Sequence, residues 1–182
     1  MRHYEPSVAV SSEWRSPGPT LLERIGLEYG LDSCGPLSGY YAVKTKKVFT
    51  VVDNGLVQSW RGYGLVYCNP PWAEQRRAVL RWLDKFFEEA DGGIFVCVAR
   101  TSADWFQDGV LARAELICFP YGKTRFYQPD GMPGPAPTNG IALIGKGEIA
   151  CDALRRSGLG YCLSVDRTAA PPARAANGGR RS

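Results

Sequence analysis

Residues 64–99 read GLVYCNPPWAEQRRAVLRWLDKFFEEADGGIFVCVA, and this stretch decides the fold class. It opens with a compact apolar run, GLVYC, which predicts a buried strand, and two successive prolines then prevent any regular structure. Over residues 73–90 apolar side chains recur at helical spacing, and charged side chains take the opposite face. Gly92 and Gly93 end this helix, and the apolar run IFVCVA that follows is typical of a strand in a parallel sheet.

The same alternation continues on both sides of this stretch. Further helices are predicted over residues 21–29, 102–113 and 148–156, with strands over 31–34, 48–52, 116–119, 141–144 and 161–165. Strands that alternate with helices indicate an α/β sheet with helices on both faces. Ligands of such sheets bind outside the carboxyl ends of the strands. Asp32 and Asn69 both fall at predicted strand ends.

Composition indicates one folded domain. The chain has 182 residues, of which 45% are apolar and 22% charged. Residues 1–13 are interpreted as an extended arm, 14–165 as a single domain, and 166–182 as a disordered basic tail. Four arginines and one acid give that tail +3 of the total charge of +4. No apolar stretch reaches about 18 residues, and the start of the chain lacks a signal-peptide core, so we expect a cytoplasmic protein without a membrane span.

Two residue counts restrict the possible chemistry. The chain has a single histidine, His3, which makes Ser-His-Asp and Cys-His catalysis and histidine-based zinc sites improbable. Its six cysteines include no C-x-x-C pair, and four of them lie in apolar runs. We therefore expect reduced thiols that serve as small core residues, and no metal.

The segment Asn69-Pro70-Pro71-Trp72 is the most specific motif in the chain. An exocyclic amino group is a poor nucleophile, because its lone pair is delocalised into the ring. The oxygen of an asparagine side chain and the carbonyl of the next proline can accept hydrogen bonds from both N–H groups of this amino group. These contacts stabilise the charge that develops on the nitrogen. The prolines fix both acceptors, and the aromatic residue can stack on a base flipped out of a duplex. The alternative is a rigid strand-to-helix turn without chemistry.

Five further segments occur in a familiar order around this motif. They are residues 12–17 (SEWRSP), 31–35 (LDSCG), the F-T…D-N-G-L…W block over 49–60, the A-R-T…W-F segment over 99–106, and 122–126 (GKTRF). Together with the NPPW motif, they make the chain resemble the phage-type DNA N6-adenine methyltransferases over roughly residues 12–145.

The resemblance implies a Rossmann-like class I methyltransferase fold, mostly parallel with antiparallel last strands. It implies transfer of a methyl group from S-adenosylmethionine to N6 of a DNA adenine flipped from the duplex, by direct displacement without a metal. A phage- or prophage-encoded protein in a bacterial cytoplasm follows from the same likeness. The oligomeric state stays open.

Roles for individual residues also follow from the resemblance. The cofactor-binding residues it implies are Trp14, Ser16, Pro17, Asp32, Cys34, Gly35, Asp53 and Leu56. The residues that would hold the target adenine are Asn69, Pro70, Pro71 and Trp72. Candidate DNA contacts are Arg100, Lys123 and Arg125. One departure from the family pattern is that no acidic residue occurs between Gly35 and Val52, where a carboxylate usually binds the cofactor's ribose.

Two other functions remain compatible with the sequence. An N-P-P-aromatic turn suits other planar nitrogens, so the acceptor could be an RNA base or a protein glutamine. A non-catalytic DNA-binding homologue that keeps the fold is the alternative from a different class.

Overall fold

A computed structural model describes residues 16–71, 76–135 and 137–166. Trp14, Trp72, the predicted arm 1–13 and the tail from residue 167 onward therefore lie outside the described residues. No helix in the described part of the chain combines the length and the apolar character needed to cross a membrane.

The described chain contains nine strands and four helices. The strands are β1 (Ser16–Pro17), β2 (Tyr29–Asp32), β3 (Thr45–Val48), β4 (Leu65–Cys68), β5 (Gly92–Val98), β6 (Leu116–Pro120), β7 (Phe126–Tyr127), β8 (Ile141–Lys146) and β9 (Gly160–Ser164). The helices are α1 (Pro19–Ile25), α2 (Arg76–Glu89), a π-helix (Trp105–Leu111) and α3 (Glu148–Arg156).

Seven of the strands form one mixed sheet in the order β3-β2-β4-β5-β8-β6-β9. The pairs from β3 to β5 are parallel, whereas β8 runs antiparallel to both β5 and β6. The last strand, β9, is also antiparallel to β6. The sheet is therefore parallel apart from its last two strands in chain order, which agrees with the prediction of a mostly parallel α/β sheet.

Helices cover both faces of the sheet. Successive strand residues point to opposite sides, so neighbouring residues of one strand pack against different helices. On one face α2 and the π-helix pack over strand residues that include Leu31, Val66 and Phe95. On the other face α1 and α3 pack over their chain neighbours, which include Tyr67 and Ile94. The parallel strands β2, β4 and β5 are largely buried, so a ligand can meet them only at their ends.

The structure corrects two predicted boundaries on either side of residues 31–35. The first helix ends at Gly26, which adopts a left-handed conformation with φ of 69°, and not at Gly30. Gly30 lies inside β2, where a side chain would collide with the carbonyl oxygen of Tyr63. The predicted strand over 48–52 is wrong except at its first residue, because residues 51–53 form a turn. Asp53 stabilises that turn by accepting hydrogen bonds from Thr50.

Two other elements differ from prediction. The helix expected over 102–113 is a shorter π-helix that begins after Asp104, with no side-chain cap on its first turn. The segment between the strands predicted over 116–119 and 141–144, for which no helix or strand was predicted, contains β7, which pairs with β1 in a separate two-stranded sheet. A pairing between strands so distant in the sequence cannot be predicted from a local pattern of residues.

Candidate active site

Polar residues collect at the carboxyl edge of the parallel strands. Asp32 closes β2, Asn69 follows β4, and Arg100 follows β5 by two residues. The register pairs Asp32 with Tyr67, so Asn69 comes two residues beyond the neighbour of Asp32. The structure therefore brings these sequence-predicted residues to one edge of the sheet.

The loop after β2 holds a buried carboxylate. Asp32 is 2% exposed, and its Oδ1 accepts a hydrogen bond from the backbone N–H of Cys34 at 3.1 Å. Its Oδ2 accepts a hydrogen bond from the Tyr41 hydroxyl at 3.0 Å. Burial raises the pKa of Asp32 to about 7, and the two hydrogen bonds oppose that rise. The carboxyl group is thus poised to gain or lose a proton near neutral pH.

Backbone contacts fix this loop against β3. The N–H of Gly35 donates to the carbonyl of Phe49 at 2.9 Å, and the N–H of Phe49 donates to the carbonyl of Asp32 at 2.8 Å. A side chain at Gly35 would collide with Val48. Only glycine fits there, so the turn brings the backbone close to β3 and to Asp32.

The turn after β4 places the asparagine-proline motif beside this loop. Asn69 is 9% exposed, Pro70 is buried, and Pro71 is partly buried. The N–H of Ser33 donates to the carbonyl of Tyr67 at 3.0 Å, which ties the two segments together.

Two thiols make a second contact between the same segments. The sulfur atoms of Cys34 and Cys68 lie 3.8 Å apart, and both side chains are buried. Burial raises the pKa of Cys34 well above its usual value, so its thiol stays protonated at neutral pH. This is consistent with the prediction that the cysteines are reduced core residues, and the cysteines in the described residues are free.

A third loop, residues 49–60, packs against the first. Trp60 is fully buried and donates its indole N–H to the carbonyl of Gly55 at 2.7 Å. A side chain at Gly55 would collide with the carbonyl oxygen of Ser33, so these two loops touch through their backbones. Leu56, the next residue, is partly buried against the core on the α2 face.

Asp53 lies at the start of this loop and already has a structural partner. Its Oδ2 accepts hydrogen bonds from the Thr50 N–H at 2.8 Å and from the Thr50 hydroxyl at 2.9 Å. These hydrogen bonds lower the pKa of Asp53, so it is ionised at neutral pH. Because both bonds use Oδ2, an amino group of a cofactor would have to bind Oδ1.

The opening segment of the fold joins the site through the small sheet. Ser16 pairs with Tyr127 and Pro17 with Phe126. The N–H of Gly18 extends this ladder by donating to the carbonyl of Arg125 at 3.3 Å.

Three exposed basic residues lie at the same edge of the main sheet. Arg100 follows β5, and Lys123 and Arg125 follow β6, which runs parallel to β5 because both pair antiparallel with β8. Their exposure leaves them accessible to a polyanion.

Sequence reasoning missed the partner of the buried acid. Tyr41 was not singled out, although the consecutive aromatic residues Tyr40 and Tyr41 after a glycine-rich loop are a signal that such a loop folds back onto the core. Nothing in their spacing tells which ring meets Asp32. Within the described residues, no group of three or more His, Cys, Asp or Glu side chains could hold a metal ion.

Comparison with known proteins agrees with the family suggested by the motifs. Neither the curated proteins nor the solved structures contain a match to this chain. Among protein-family models, the one described as DNA N-6-adenine-methyltransferase (Dam) matches residues 6–139, which include the described loops after β2, β3 and β4. Because this match spans more than half of the sequence, the chain belongs to the DNA N-6-adenine-methyltransferase (Dam) family.

Proposed function

We propose that this protein transfers a methyl group from S-adenosylmethionine to N6 of adenine in DNA, on a Rossmann-like class I methyltransferase fold. The observation that carries the proposal is the position of Asn69 and Pro70. They lie at the carboxyl end of a buried strand, beside a loop that holds a buried acid. Family membership supports the choice of adenine in DNA over other acceptors.

The chemistry of the loop after β2 fits a cationic cofactor. Asp32 is buried, and both hydrogen bonds it accepts come from neutral donors, a backbone N–H and a phenol. A buried carboxylate in such surroundings favours a positively charged partner. S-adenosylmethionine carries a sulfonium and an ammonium group, and when bound it supplies an electrophilic methyl group.

The residues proposed to hold the cofactor form two groups. Those at its methionine end are Trp14, Ser16, Pro17, Asp32, Cys34 and Gly35. Those at its adenine are Asp53 and Leu56. The backbone contact between Gly55 and Ser33 supports this division, because it places the second group beside the first.

The target adenine would be held by the turn after β4. The Asn69 side-chain oxygen and the Pro70 carbonyl would each accept a hydrogen bond from one N–H of the amino group. These two bonds stabilise the charge that develops on its nitrogen. Pro71 restricts the backbone, and Trp72 stacks on the flipped base.

Contacts to the DNA backbone would come from Arg100, Lys123 and Arg125. The basic tail 166–182 would add attraction to phosphates without base specificity. We propose residues 14–165 as the catalytic domain, with 1–13 as an arm.

The decisive experiment measures transfer of a labelled methyl group to DNA, RNA and protein side by side. We expect label in DNA alone, and nucleoside analysis should identify the product as N6-methyladenine. Label in RNA or in protein glutamine would replace the proposed substrate with one of those acceptors. If no acceptor is labelled and calorimetry detects no S-adenosylmethionine binding, the protein is a non-catalytic homologue. DNA already saturated with N6-methyladenine is the matched control.

A further inference from the structure

The small sheet β1–β7 joins two parts of the molecule that the proposed function keeps separate. One strand carries Ser16 and Pro17, on the cofactor side, and the other follows directly on Lys123 and Arg125, on the DNA side. Because the two strands are paired, a displacement of either strand also displaces the other.

Tyr127 extends this connection to the loop that follows β2. Its ring stacks on the ring of Tyr40, with centroids 5.0 Å apart and planes inclined by 27°. The backbone N–H of Tyr40 also donates to the carbonyl of Pro129 at 2.9 Å. The Tyr127 ring also lies against Gly18, where an added Cβ would be 2.8 Å from the ring.

Tyr40 is linked to the buried acid through its neighbour in the chain. The next residue, Tyr41, donates its hydroxyl to Asp32. Adjacent tyrosines of one loop thus reach in two directions, one toward the carboxylate and one toward the segment after the basic residues.

The segment around Tyr127 is firmly folded, as a coupling element needs to be. The N–H of Gln128 donates to the carbonyl of Met132 at 2.9 Å, and the N–H of Gly134 donates to the carbonyl of Phe126 at 2.8 Å. These bonds close a short hairpin after β7, so its backbone cannot move without breaking them.

We propose that the stacked pair Tyr40–Tyr127 positions the cofactor loop and the DNA-contacting segment relative to each other, and so couples cofactor binding to DNA binding. The inference rests on the proposed function. Tyr40 and Tyr127 are positioning residues, because they act through the loops that bear the ligand contacts. Coupling between two sites is reciprocal, so each ligand strengthens the binding of the other by the same factor.

The test measures the affinity for S-adenosylhomocysteine, a non-reacting product, with and without DNA. The DNA is an unmethylated fragment that accepts methyl groups from the parent protein. We expect the parent protein to bind this probe about 5-fold or more tightly when DNA is present, within the usual range of coupling between sites. Tyr127→Leu and Tyr40→Leu should each bring that ratio close to 1. The double variant should lose no more than either single variant, because both act through one contact.

Two control variants separate the contact from general damage. Tyr127→Phe keeps the stacked ring and should keep the parent ratio. Tyr161→Leu alters a tyrosine that is 85% exposed on β9, at the far end of the main sheet, and should change nothing.

The possible outcomes distinguish this inference from the function on which it rests. A parent protein that methylates DNA but shows a ratio of 1 overturns the coupling alone, as do leucine variants that keep the parent ratio. A Phe variant that loses as much as Tyr127→Leu overturns the role of stacking. A parent protein that binds neither probe nor DNA overturns the proposed function, and the coupling with it.

Discussion

The ends of β2 and β4 lie side by side, yet they hold their polar groups in opposite ways. At the end of β2 the carboxyl group of Asp32 is buried among neutral donors, and its charge changes with pH near neutrality because burial raises its pKa to about 7. At the end of β4 the carboxamide of Asn69 does not titrate, and two prolines fix the backbone around it. The proposed cofactor side of the site would thus be governed by charge and the proposed target side by geometry. Solution pH should act on the first and leave the second unchanged.

Removing the amide tests the geometric side and should have the largest effect. Asn69→Ala deletes one acceptor for the target amino group but leaves both prolines and the loop after β2 in place. Loss of one such preorganised contact typically lowers the rate about 10²–10³-fold. Single-turnover methyl transfer measures this loss, while calorimetry should give parent-like S-adenosylmethionine binding.

A matched control for this substitution is Gln107→Ala, which removes an exposed carboxamide on the π-helix. It should methylate DNA at the parent rate. If Asn69→Ala does the same, the Asn-Pro-Pro turn is only architecture.

Changing the charge at the end of β2 should have the next largest effect, and it depends on pH. A cation binds the ionised form of Asp32, whose pKa is raised to about 7, so cofactor affinity should rise about 10-fold from pH 6 to pH 8. Asp32→Asn should abolish this rise and weaken binding at pH 8 by about 10–100-fold, the range for a hydrogen bond to a charged group. Calorimetric titration at several pH values measures both changes.

The neighbouring groups do not blur this signal. Burial raises the pKa values of Tyr29, Tyr41, Tyr67 and Cys34, so these groups stay neutral throughout the window. A parent affinity that is flat between pH 6 and pH 8, together with an unchanged affinity of Asp32→Asn, would remove Asp32 from the cofactor site.

The same carboxyl group should make the unliganded protein less stable as pH rises. Between about pH 4 and pH 7 the unfolded chain has lost the Asp32 proton while the folded chain still holds it, because burial raises the folded pKa from 3.8 to about 7. The contribution of Asp32 to the free energy of unfolding should fall by up to about 1.4 kcal/mol per pH unit there and level off above pH 7.

Urea unfolding across this window measures the slope. Asp32→Asn should flatten it relative to the parent, whereas Asn69→Ala should keep the parent slope. Identical slopes in the parent and Asp32→Asn would show that the folded carboxyl group ionises at its usual pH.

The site was predictable from sequence where local chemistry determines position. An apolar run followed by Asn69, Pro70 and Pro71 predicts a strand that ends with its polar group at the edge, as β4 does. Asp32 was placed less well, because it stands second in the strand predicted over 31–34 but last in β2. The resemblance to a known family then implied a role for each of these segments. Of the four cysteines in apolar runs, Cys68, Cys97 and Cys118 are buried as predicted, whereas Cys162 is only partly buried.

Features that depend on distant pairing were not predictable. The ladder between Ser16 and Tyr127 and the bond from Tyr41 to Asp32 leave no periodic pattern. Gly30 was misread for a related reason. A glycine after an apolar helical run usually ends the helix, but here close approach to Tyr63 requires it inside a strand.

The smallest expected effect concerns Asp53, where a structural role and a cofactor role compete for one carboxylate. Asp53→Asn keeps a side-chain oxygen that can accept from Thr50, so the turn over residues 50–53 should survive. Its amide nitrogen would then face the amino group of the cofactor's adenine, donor against donor. We expect severalfold weaker binding of S-adenosylhomocysteine, and little change for the analogue in which hypoxanthine replaces adenine and offers a carbonyl oxygen instead. The ratio of the two dissociation constants is the measurement, because a purely structural defect weakens both ligands equally. A ratio equal to that of the parent would leave Asp53 as a turn residue. Recognition of the cofactor's adenine would then be independent of the Asp53 carboxylate.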